Sequence, residues 1–123
     1  MAAQSEVIVA VMKSVSEELK MKRPGICRPN SVPSLSFGYG VTPSKTDTRT
    51  LLLAIAWDSL IQLVSFDDTK LEVTQDGVYY TDFVIDHIQF VADSTLMAWS
   101  NKDNIKLIDT KGLKPGDYKQ LES

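Results

Sequence analysis

The residues of this 123-residue chain that could do chemistry are few and scattered. His87 is the only histidine and Cys27 the only cysteine. Acid–base or nucleophilic work at either needs a second titratable group poised beside it. His87 has one carboxylate next to it in sequence, Asp86, and Cys27 lies in a proline-rich stretch with no base in view. A zinc centre takes about three or four ligands at motif spacing, and the sequence offers no such set. His87 therefore reads as a surface or edge histidine and Cys27 as an inert thiol. Asp67, Asp68, Asp82, Asp86, Asp93, Asp103 and Asp109 invite a carboxylate-pair or calcium reading. They fall where strands should end, and Asp is favoured at turns for its own backbone hydrogen bonds. No stretch meets the calcium-loop pattern with its glycine at the sixth position. Gly38 and Gly40 flank Tyr39 but lead into Val41-Thr42-Pro43, without a third glycine or a following helix. That is not a phosphate-cradling loop; close backbone approach accounts for the glycines better. The expectation is a chain with no catalytic residue, no metal and no cofactor.

What remains is binding and packing. Tyr79 and Tyr80 are adjacent, so in a strand they point to opposite faces and one should be exposed, a reasonable anchor for a protein partner. Phe37, Trp57, Phe90 and Trp99 are the aromatic residues expected in the structural core. Trp57 and Trp99 close similar apolar runs, which argues for equivalent packing roles.

Composition narrows the partners. Of the residues, 43% are hydrophobic and 24% charged, ordinary values for a folded domain. Thirteen Lys and Arg against sixteen Asp and Glu leave a net charge of −3. Phosphate-driven nucleic-acid binding and a polybasic membrane anchor both want the opposite sign. One cysteine fits a reducing, cytoplasmic compartment. The longest apolar runs, residues 7–12 and 51–57, fall short of the roughly 18 residues of a membrane span. No secretory leader is expected either, because no basic n-region precedes a long apolar stretch.

The elements that must position these residues read as strands: short alternating or apolar runs, rich in Val, Ile and aromatics, bounded by turn formers. The spacing predicts strands at 6–12, 34–39, 51–57, 60–66, 70–74, 78–81, 84–91, 95–99 and 104–109. Residues 15–22 read as a strand, with one helical turn over 16–21 as the alternative. Three prolines and a glycine make 24–33 a loop. Continuous apolar character in 51–57 predicts burial on both faces. Asp76-Gly77 predicts a tight turn between 70–74 and 78–81.

A repeat underlies the strands. Ile55-Ala56-Trp57 and Met97-Ala98-Trp99 lie 42 residues apart, and Ile61–Val64 and Ile105–Ile108 lie 44 apart. Ile8-Val9-Ala10 stands over Ala54-Ile55-Ala56 at 46. About four short strands in each 40 to 45 residues is the signature of a β-propeller blade. The fold class is all-β: a partial propeller of about two and a half WD-repeat-like blades, each of four antiparallel strands. The blade portions are 6–33, 34–81 and 82–123, within a single all-β unit over 1–123. A small β sandwich or barrel is the alternative, and a stand-alone domain binding a ligand or peptide its function. Fewer blades than a closed ring would leave open edges and an uncovered apolar face, so the chain reads as a fragment or truncated form of something longer.

The segment Pro33-Ser34-Leu35-Ser36-Phe37-Gly38-Tyr39-Gly40-Val41-Thr42-Pro43, with Leu52–Trp57 and Leu60–Leu63 after it, resembles the amino-terminal propeller of the vacuolar-protein-sorting 8 subunits of the CORVET endosomal tethering complex. In that family an aromatic-Gly-Tyr-Gly segment with proline precedes a strand ending in Ala-Trp, and an apolar-Gln pair follows. The resemblance covers residues 6–118 and is most specific over 33–63. It departs from the full family in lacking the other blades, the helical solenoid and the zinc-binding RING end. The resemblance implies a non-enzymatic, protein-binding segment in vesicle-mediated protein transport. Its partners would be sister tethering subunits and a Rab-family GTPase. It would be cytoplasmic and peripheral on early endosome membranes, held there through those partners.

Overall fold

The computed structural model of the chain describes residues 10, 13, 14, 17, 27, 28, 30–43, 45–67 and 72–115. Its strands are β1 (Ser34–Thr42), β2 (Lys45–Trp57), β3 (Leu60–Asp67), β4 (Glu72–Tyr80), β5 (His87–Ala92), β6 (Thr95–Trp99), β7 (Ile105–Asp109) and β8 (Lys114–Pro115), with a 3₁₀ turn at Thr110–Gly112. They form two sheets, β1-β2-β3-β4-β8 and β5-β6-β7. Every pairing is antiparallel. The protein is all-β in its ordered sheets, as its alternation and turn residues require.

The hairpins follow from local chemistry. Trp57 pairs with Leu60 across Asp58-Ser59, and Ala92 with Thr95 across Asp93-Ser94. One residue of each two-residue loop takes a left-handed backbone, Asp58 at φ 52° and Ser94 at φ 62°. Such loops need that conformation to match the twist of the strands. Asp and Ser reach it less easily than glycine, and side-chain bonds described below hold both in place.

Three expectations change. Asp76-Gly77 does not turn the chain. β4 runs through it, with Leu63 opposite Gly77 and Val64 opposite Gln75, so Asp76 is the extra residue of a β-bulge. Glycine supplies the same backbone freedom to a bulge as to a turn, and the dipeptide alone does not distinguish the two. Next, residues 40–47, whose polar character predicts a connection between strands, lie largely within β1 and β2, which pair as far as Thr42 and Lys45. Finally, Ala10, Lys13, Ser14 and Glu17 have α-helical backbone and are exposed. The strand reading of 6–12 fails at Ala10, and Glu17 falls with the helical-turn alternative over 16–21 and not with the strand. Residues 10, 13, 14 and 17 share one face at a 3.6-residue period, and the density of Val and Ile outweighed that polar spacing. The remainder of those readings, and of 70–74 before Glu72, lies outside the described residues.

Two apolar clusters use both faces of the first sheet. Leu52, Ala54, Ala56, Ile61 and Leu63 meet Ile85, Ile88, Leu96, Ala98, Ile108 and Leu113 between the sheets. Leu53, Ile55, Trp57, Leu60, Val64, Phe66 and Val78 form the second cluster with Cys27 on the far side. Residues 52–57 are at most 2% exposed, so β2 is buried on both faces as its unbroken apolar run predicts.

β1 seats the second sheet. Its alternate residues Ser34, Ser36, Gly38 and Gly40 share the face that carries Ala56, Ala54 and Leu52 on β2. This row of small residues lets β5 approach closely. Ser34 and Ser36 hydroxyls accept from Ile88 N (3.2 Å) and Phe90 N (3.0 Å). A methyl group on Gly38 would stand 2.3 Å from Phe90 Cγ, and one on Gly40 2.6 Å from Ser94 N. Ser94 N donates to Tyr39 O and Val41 N to Ser94 Oγ, both at 2.9 Å. Thr110 adds a hydroxyl bond to Val41 O. Contacts advance together from Ser34–Ile88 to Gly40–Ser94, so β1 and β5 run parallel. The portion 34–81 is one four-stranded meander. In 82–123 the described sheet has three strands, and β8 pairs with β4 of the first sheet.

Candidate interaction surface

The second sheet has one covered face and one open one. On β6, Leu96 and Ala98 point into the inter-sheet cluster, so Thr95, Met97 and Trp99 point away from it. The register sets His87, Trp99 and Ile105 in one row and Gln89, Met97 and Leu107 in the next. Ile105 and Leu107 are 64% and 62% exposed. The His87 ring stacks on Trp99 at 5.3 Å and 28°, which leaves the indole half-buried. Scattered surface leucines need no explanation, but contiguous apolar residues on one sheet face mark an interaction site.

The turn beyond Trp99 is held rigidly. Ser100 N donates to Asn104 O, and Ser100 Oγ accepts from Lys102 N at 3.1 Å. Asp103 sits at φ 70°. Asp86 accepts from Asn101 N at 2.7 Å, while its own N–H donates to Trp99 O. Of the Asp residues read as turn formers, Asp86 and Asp109 thus bond backbone N–H groups, Asp109 accepting from Lys111 N (2.9 Å).

The core aromatics separate. Trp57 is 1% exposed, within the second cluster. Phe90 is half-buried against Gly38 and the inter-sheet cluster. Phe37, expected in the core, is 42% exposed. Leu35, Phe37 and Tyr39 do share a face, but the inward face of β1 is the Ser/Gly one, because only small residues admit β5. Trp99 is a second correction. It occupies the hairpin position of Trp57, yet Trp57 faces away from the second sheet and Trp99 away from the first, so they are not equivalent packing residues. Tyr79 packs on the inter-sheet cluster, whereas Tyr80 is 43% exposed. Neither lies on the second sheet. The sequence reading passed over Met97, Ile105 and Leu107. Their signal is that 95–99 and 105–108 carry apolar residues at both odd and even positions, too many for one buried face.

A second exposed group lies along β1. The Arg49 guanidinium sits 4.3 Å from the centre of the Tyr39 ring and bonds Asp93 at 2.5 and 3.2 Å. The hydrogen bond from Arg49 holds the Asp93 carboxyl below its ordinary value. Both partners are largely in water, where such pairs contribute little.

A cleft opens at one end of the sheets, lined by Arg28, Ser31, Ser34, Asp58, Ile85 and Asp86 among others. Its charges face each other. Arg28 donates from its backbone N (2.7 Å) and Nε (2.9 Å) to the two Asp58 oxygens. Burial pushes the Asp58 carboxyl up, but the Arg28 backbone N–H and guanidinium and the Ser31 hydroxyl outweigh it, and the group titrates below its usual range. A carboxyl lowered on folding adds stability that is complete above its unfolded value of about 3.9 and is lost as pH falls through the folded value. The thermal midpoint is therefore expected to be level down to about pH 5 and to fall below about pH 4. Asp58→Asn, which tolerates the left-handed backbone, should lower the neutral-pH midpoint by the few degrees that about 1 kcal/mol represents. It should also flatten the acid limb; an acid limb identical to wild type would place that sensitivity elsewhere.

Among the described residues no three His, Cys, Asp or Glu side chains gather where they could hold a metal. Cys27 is buried, with its thiol 3.8 Å from Trp57 O. No helix among the described residues is long and apolar enough to cross a membrane. Comparison with family models, with curated proteins and with solved structures finds no match.

Proposed function

We propose that this chain is a protein-binding β module, two blade-like sheets of a propeller whose second sheet offers its outer face to a partner. The open row of Met97, Trp99, Ile105 and Leu107 carries this reading. Support comes also from the matching face of the first sheet, whose central residues Leu53, Ile55, Trp57, Leu60, Val64 and Val78 are buried, and from first strands that run parallel, as in neighbouring blades. The resemblance of the Phe37–Pro43 segment supplies the setting: a non-enzymatic tethering subunit on early endosomes, engaging sister subunits and a Rab-family GTPase.

The test is co-precipitation with tethering subunits from cells that express the chain. Ile105→Lys with Leu107→Lys is expected to abolish it and to leave the thermal midpoint within about 2 °C, since both side chains are already solvated. Equal recovery of the subunits with the double variant, or none with wild type, would overturn the endosomal reading.

A further inference from the structure

Sheet edges are templates for pairing, and folded proteins cover them. On β5, Ile88 N and Phe90 N are capped by the Ser34 and Ser36 hydroxyls. On β1, Tyr39 O, Val41 N and Val41 O bond Ser94 and Thr110. On β4, the cover is partial: Gly77 and Val78 pair with the two-residue β8, the outermost strand of that sheet. β7 pairs with β6 on one side, and no strand, loop or side chain among the described residues bonds its other side.

The phase of that free edge is fixed. Ser100 N donates to Asn104 O and Thr110 N to Ser94 O, so the even-numbered residues of β7 bond β6. By the alternation of antiparallel pairs, the N–H and C=O groups of Ile105, Leu107 and Asp109 point outward. The same residues place Ile105 and Leu107 side chains on the open face. Lys106, between them on the opposite face, is exposed and has no ion pair among the described residues. The first sheet shows what such a seat holds: beside its third strand, β3, lies β4, with Val78 and Tyr80 on the outer face next to Gln62 and Leu60.

We propose that β7 is a strand-addition site for an extended segment of a partner protein. The segment presents two apolar side chains, at alternate positions, to Ile105 and Leu107, and an acidic side chain between them to Lys106. Backbone bonds to Ile105, Leu107 and Asp109 give affinity, and the apolar–acidic–apolar pattern gives selectivity. This rests on the protein-binding reading and names the class of partner.

The probe is the end-capped heptapeptide Ser-Thr-Val-Glu-Val-Thr-Ser, titrated into the isotope-labelled chain at a concentration where it is monomeric. The Ile105, Leu107 and Asp109 amides are expected to shift and to exchange with solvent at least tenfold more slowly. A probe with Lys in place of Glu should bind about two- to fivefold more weakly, and Lys106→Glu should reverse that preference. Leu107→Pro removes an outward N–H without touching the β6 ladder and should abolish binding; the Lys106→Glu reversal stands as a test even where the proline variant does not fold. Silent edge amides at saturating probe would overturn the proposal. So would edge amides already protected without probe, which would mean the seat is filled within the monomer. If the edge is silent but the open face still drives association, strand addition falls and the protein-binding reading stands; if both are absent, that reading falls too.

Discussion

Gly40→Ala is expected to unfold the seam between the sheets. The added methyl group would lie 2.6 Å from both Ser94 N and Ser94 Oγ and 2.7 Å from its Cα. These are mainly backbone atoms of a two-residue loop that cannot swing aside. Moving the loop breaks Ser94 N to Tyr39 O and Val41 N to Ser94 Oγ. Overpacking and two lost hydrogen bonds together amount to about 3 kcal/mol, a large part of a typical domain's total stability. The melting midpoint should drop by roughly 10 °C or more. Gly38→Ala meets the Phe90 ring instead; a companion Phe90→Ala should restore part of its loss, whereas Gly40→Ala has no side-chain rescue. Gly112→Ala, with nothing within 4 Å of the new carbon, is the near-neutral control. Equal midpoints for the Gly40 and Gly112 variants would show that the sheets are not in contact there.

Trp57→Ala and Trp99→Ala should part company. Trp57 fills the second cluster at 1% exposure, so its truncation removes a full aromatic payload and leaves a cavity, about 3 to 5 kcal/mol. Soluble protein should be lost. Its indole N–H has no partner among the described residues, so Trp57→Phe relieves a buried unpaired donor and should cost about 1 kcal/mol or less. Trp99 is half-buried on the open face under His87. Its truncation should cost only about 1 to 2 kcal/mol and act mainly on association. Thermal melts of the three variants check this order; equal losses for Trp57→Ala and Trp99→Ala would restore the symmetric roles that the Ala-Trp repeat suggests.

That symmetry shows what the sequence could and could not say. Strand identity was legible wherever local chemistry decides it: the unbroken apolar run of 51–57 and the alternation of 34–39. Which face of a strand meets the neighbouring sheet was not. Ser34, Ser36, Gly38 and Gly40 look like the solvent side of β1 beside Leu35, Phe37 and Tyr39, yet the demand for close approach turns them inward and leaves Phe37 exposed. Asp76-Gly77 is read by the register of β3, which absorbs an extra residue, and register is a long-range property. The open face escaped for the same reason. Ile105 and Leu107 look like core residues until Ile108 is seen to occupy the core instead.

The most direct test of the central claim, that the outer face of the second sheet is a binding face, is sedimentation velocity of the chain over a wide concentration range. Wild type should associate progressively as concentration rises, because Trp99, Ile105 and Leu107 gain by leaving water. Ile105→Lys with Leu107→Lys should remain a monomer throughout. A wild-type chain that stays monomeric over the whole range, indistinguishable from the double-lysine variant, would contradict the account.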